Sequence, residues 1–80
     1  MVRRSSDRIS KTETTTLPDG SVMRVSWFGE RSVLIDRLVE GEVVWGQAFG
    51  GDRVEESVRE VRAHMRERPG SFLSAPRRGA

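Results

Sequence analysis

The feature that most constrains this chain is an apolar stripe. Between Asp52 and Pro69, Val54, Val58, Val61 and Met65 recur at intervals of four, three and four. At about 100° per residue, these side chains fall on one narrow line along an α-helix. Such a line has to be buried against something. Asp52 is placed to cap the helix N-terminus, Glu55 follows at capping-box spacing, and Pro69-Gly70 stops the helix.

The surface that receives the stripe must come from upstream. Met23, Val25 and Trp27 alternate with Arg24 and Ser26, the period-two pattern of a strand. Two further apolar runs, Val33 to Val39 and Val43 to Phe49, flank Glu40-Gly41. Ahead of them the threonine-rich run Thr12 to Leu17 reads as a polar edge strand that ends in the turn Pro18-Asp19-Gly20. The expected fold is α+β: an antiparallel β-meander of three to four strands packed against one C-terminal amphipathic helix. Residues 1–10 read as a flexible basic tail, 11–70 as the ββββα domain and 71–80 as a second flexible tail. Phe72 and Leu73 are placed to fold back onto the core.

Two-residue turns at Gly29-Glu30 and Glu40-Gly41 would set Val25 opposite Leu34, Leu38 opposite Val43 and Asp36 opposite Trp45. One face then gathers Met23, Val25, Trp27, Leu34, Leu38, Val43 and Trp45, interrupted by Asp36 and Gln47. That face is expected to meet the helix. The other carries Val22, Arg24, Ser26, Val33, Ile35, Arg37, Val44 and Gly46. A slip of one residue exchanges the two.

With 80 residues there is room for one domain. The chain holds no cysteine, so packing or a partner supplies the stability that disulfides or thiolate metal sites would. No apolar run is long enough to cross a bilayer, and the Arg-rich start leads into no apolar segment. The expected setting is therefore cytoplasmic, without a membrane. The net charge of +2 is unevenly spread. Residues 12–52 hold three arginines against seven acids, while both ends are basic.

Nothing in the chain specifies catalysis. His64 is the only histidine, and an i,i+4 contact with Glu60 accounts for it. The glycines build no phosphate loop, the acids form no metal-ligand pattern, and no cofactor is implied. A non-enzymatic role is the expectation.

The stretch Val44-Trp45-Gly46-Gln47-Ala48-Phe49, leading through Asp52 into Glu55-Glu56-Ser57-Val58, resembles the last strand and helix entry of AP2-type and integrase arm-binding DNA domains. The resemblance spans about a third of the chain and implies a three-stranded sheet, backed by a helix, that lies in the DNA major groove. Here, however, Glu30, Asp36, Glu40 and Glu42 surround Arg24 and Arg37. Acids on a sheet oppose the approach of phosphates.

Two functions are therefore expected in competition. The first is a protein-interaction or regulatory module, self-associating or binding another protein through Val33, Ile35, Arg37, Val44 and Arg24 on the uncovered sheet face. The second is a nucleic-acid-binding protein that uses the helix row Arg59, Arg62 and Arg66 together with Arg3 and Arg4.

Overall fold

A computed structural model of the chain describes residues 9–73. The expected N-terminal tail, apart from Ile9 and Ser10, and the C-terminal tail from residue 74 lie outside the described residues, and with them Arg3 and Arg4. The described residues form β1 (Lys11–Thr16), β2 (Val22–Trp27), β3 (Ser32–Val39), β4 (Glu42–Gly50) and α1 (Val54–Glu67), closed by a 3-10 turn at Pro69–Ser71. The four strands make one antiparallel sheet in chain order. The expected α+β meander with its helix is the fold observed.

Short turns join the strands. At the first, the Gly20 amide donates to the Leu17 carbonyl, and the Leu17 amide donates to Ser21. Glu40 and Gly41 both take positive φ, 52° and 84°, as a two-residue turn matched to the twist of its strands requires. The β2–β3 connection departs from expectation. Phe28 donates to Ser32, so Gly29, Glu30 and Arg31 all lie in the loop. That extra loop residue shifts the register by one, setting Val25 opposite Ile35 and Met23 opposite Arg37.

The shift corrects the expected face assignment for β3. One face of the sheet carries the cross-strand rows Lys11–Trp27–Val33–Phe49, Glu13–Val25–Ile35–Gln47 and Thr15–Met23–Arg37–Trp45. The helix packs on this face, and Val33 and Ile35 are core residues at 2% and 0% exposure. Leu34, Leu38 and Val43 instead look out from the other face. Trp45 keeps its expected place because a bulge at Arg37/Leu38 takes up one residue of β4.

The helix behaves as its stripe requires. Val54, Val58 and Met65 are buried, and Val61 is half-buried against the same core. The expected Asp52 cap is not formed: Arg53 occupies the cap position without a side-chain bond, and Asp52 pairs with Arg31 across the β2–β3 loop. Packing of the stripe, rather than capping, holds this helix. The packed domain runs past Gly70, because the Phe72 ring meets Trp45 edge-on at 4.9 Å.

A buried arginine closes the far end of the core. Arg37, 5% exposed, donates from Nε to Ser21 Oγ at 3.1 Å, from Nη1 to the Phe72 carbonyl at 3.1 Å and from Nη2 to Asp19 Oδ2 at 3.0 Å. Asp19 Oδ1 accepts from the Ser21 hydroxyl at 2.6 Å and from its amide at 3.0 Å. These two Ser21 bonds hold the Asp19 carboxyl below its usual pKa; burial opposes them, and the hydrogen bond and charge of the Arg37 guanidinium add lesser lowering effects.

Two outcomes follow for stability. Ile35→Ala should lose about 2–5 kcal/mol, close to the whole stability of so small a domain, whereas Leu34→Ala on the opposite face should lose a fraction of that; urea melts of the two variants test the register. The Asp19 carboxyl has a lowered folded pKa, so its stabilisation is complete above the ordinary carboxylate range and is lost as pH falls through the folded value. Asp19→Asn should therefore be less stable than the parent at neutral pH and lose less on acidification, as read by thermal melts across that range.

Candidate functional site

The face of the sheet that α1 does not cover carries the candidate site. Its cross-strand rows are Thr16–Val22–Leu38–Val43, Thr14–Arg24–Asp36–Gly46 and Thr12–Ser26–Leu34–Ala48. The middle row is charged, and the rows on either side contribute aliphatic side chains. Val22, Leu34 and Leu38 are half-buried, and Val43 is 54% exposed.

The charged row is fixed in place. Arg24 grips one oxygen of Asp36, with Nε at 3.2 Å and Nη2 at 2.8 Å from Oδ2. Asp36 is 4% exposed, while the Arg24 side chain keeps 38% of its surface in water. Gly46 makes room for this pair. A Cβ at that position would stand 2.8 Å from Asp36 Oδ1, so the missing side chain lets the carboxylate lie over β4. The arrangement neutralises the acid and leaves guanidinium N–H groups facing outward. A shallow hollow of about 270 Å³ runs alongside, lined by Thr12, Arg24, Ser26, Phe28, Leu34 and Asp36 among others.

The sequence-predicted residues are dispersed by the fold. Of the interaction set, Arg24 is on this face. Val33, Ile35 and Arg37 are buried beneath the helix, where no partner reaches them without unfolding. Val44 is half-buried beside the bulge. Half-buried Leu34 and Leu38 and exposed Val43 replace them as the aliphatics of this face, and the length of the β2–β3 loop is the signal that places Leu34 and Leu38 there. Asp36 was expected among the core residues near Trp45; the same register change carries it to the open face and to Arg24.

The helix row is exposed at Arg59 and Arg66. Arg62 is partly sheltered and reaches Glu13 of β1 at 3.5 Å. Acids surround the row: Glu55, Glu56, Glu60 and Glu67 share the helix, and Arg53 pairs with Glu56 at 3.7 Å. His64 is exposed. Among the described residues, no three His, Cys, Asp or Glu side chains gather to hold a metal ion, and no helix is long and apolar enough to cross a membrane.

A second hollow, about 680 Å³, lies at the sheet end between Lys11, Trp27, the β2–β3 loop and the start of α1. Its polar groups are of mixed sign, including Lys11, Glu30, Arg31, Asp52 and Glu55. The Lys11 ammonium stands 5.6 Å from the centre of the Trp27 ring. Among the described residues, the buried Trp27 indole N–H has no hydrogen-bond partner.

Compared with known proteins, the chain matches no family model, no curated protein and no solved structure.

If the Asp36 carboxylate needs the space above Gly46, Gly46→Ala should cost about 1–3 kcal/mol, and Asp36→Ala should recover part of that loss when combined with it. A double-mutant cycle by thermal melting measures the coupling; strict additivity would mean that the two residues do not share that space.

Proposed function

We propose that this domain is a non-catalytic protein-interaction module that receives its partner on the open sheet face. The observation that supports this reading is the division of the sheet: α1 covers one face, while the other presents Val22, Leu34, Leu38 and Val43 around a pre-formed Arg24–Asp36 pair. Interfaces are built in this way, with apolar contacts providing affinity and a few fixed polar groups providing orientation. The Arg24–Asp36 pair is already desolvated on its acid side, so docking against it leaves only the outer edge of one guanidinium to be satisfied. A fitting partner has an apolar ridge and a carbonyl or carboxylate acceptor that meets Arg24. A second copy stacked face to face is the self-associating form of the same reading.

The competing nucleic-acid reading rests on the exposure of Arg59 and Arg66. The glutamates beside them lower the local positive potential, and the open face displays one arginine that is already ion-paired. The balance of these features favours protein.

The tagged full chain, recovered from its native host, should bring down a partner whose binding weakens by about thirtyfold or more in Leu34→Glu, as for an anchor worth at least ~2 kcal/mol. Arg59→Glu/Arg66→Glu should leave it unchanged. Recovery of salt-sensitive nucleic acid, lost in the arginine variant and kept in Leu34→Glu, would overturn the proposal in favour of the alternative.

A further inference from the structure

The two edges of the sheet are built differently. β1 is short and carries Lys11 and Glu13, the kind of charge that discourages strands of other molecules from pairing. β4 spans nine residues, Glu42–Gly50, and from Val43 onward it contains neither a charged residue nor a proline. Among the described residues nothing pairs with its outer side.

The hydrogen-bond pattern shows which groups are left over. Gly51 donates to the Arg31 carbonyl, so Arg31 and Gly51 form a hydrogen-bonded pair at the end of the β3–β4 ladder. In an antiparallel ladder such pairs alternate. Phe49, Gln47 and Trp45 therefore direct their amides and carbonyls to β3, while Gly50, Ala48 and Gly46 direct theirs outward. The outward-directed amides and carbonyls thus belong to the residues with the smallest side chains on the strand.

We propose that β4 pairs with β4 of a second copy, antiparallel about a two-fold axis, to form a continuous eight-stranded sheet. The strand is self-complementary. A two-fold axis at Gln47 sets Gly46 against Ala48 of the partner copy in the hydrogen-bonded positions, and brings Gly50 against Val44, the bulge residue that has no partner on β3. It also brings Trp45 opposite Phe49 in the closer, non-hydrogen-bonded positions, once on each side of the axis. No like charges meet over Val43–Gly50, because that stretch has none. An isologous contact of this kind closes at two copies, since each copy offers its one uncharged edge. The pairing uses the edge and not the open face, so it stands independently of the function proposed above.

Proline at position 48 is the discriminating change. The Ala48 amide points outward, so Ala48→Pro removes a donor to the second copy without removing one from the β3–β4 ladder. The full chain should sediment as a concentration-dependent dimer, Ala48→Pro as a folded monomer, and the β1 control Thr14→Pro as a dimer like the parent. In the unmodified chain, amide exchange at Gly46, Ala48 and Gly50 should slow as concentration rises, while Thr12, Thr14 and Thr16 stay unchanged. A parent that is monomeric at every accessible concentration would overturn the proposal, as would a dimer that persists in Ala48→Pro or exchange at the three β4 amides that ignores concentration. Leu34→Glu separates the two proposals: it should leave this dimer intact while abolishing capture of a partner on the open face.

Discussion

One helix must close the core of a four-stranded sheet, and everything else in the described structure is arranged by that constraint. A helix of 14 residues covers one face and no more. Residues of β2, β3 and β4 on that side become core, and their neighbours one position along become surface. In a sheet so divided, register is identity: a single residue in a loop decides whether Ile35 or Leu34 is the buried side chain. The loop Gly29–Arg31 makes that decision for β3, and the β-bulge at Arg37/Leu38 restores the phase for β4. The two irregularities act together, since without the bulge Trp45 would leave the core with which it packs.

The sequence displayed the parts of this design that depend on local chemistry. The stripe Val54, Val58, Val61 and Met65 announced the helix, the alternation Met23, Val25, Trp27 announced β2 and its buried face, and Pro18-Asp19-Gly20 and Glu40-Gly41 announced their turns. It concealed what depends on counting across a loop. Glycine at 29 is compatible with loops of two or three residues, and no side chain near it states which. The candidate face inherited that ambiguity, so Val33 and Ile35 were expected outside while Leu34 and Leu38 were expected inside. Asp52 lies one residue ahead of the cap position, which Arg53 occupies, and its carboxylate pairs instead with Arg31, far from it in sequence.

The charged groups fall into two kinds. On the open face, Arg24 and Asp36 form a pair whose acid is sheltered and whose base remains partly in water, set into the space left by Gly46. Under the helix, Arg37 is enclosed and the acid it meets, Asp19, is the partner left at the surface. In both, one charge stays hydrated, which limits the desolvation that burying two would demand. The domain thus places arginine in its sheet without giving that sheet a basic face.

The reach of Arg37 has a further consequence, for the way the chain folds. Its donors meet groups 16, 18 and 35 positions away, in the β1–β2 turn and after the helix. None of those acceptors is in place until the hairpin, β3 and the end of the helix have all come together. A partly assembled sheet would leave the guanidinium in an apolar site without its full set of acceptors, an unfavourable state in low dielectric. Arg37 ties the first turn to the residues that follow the helix.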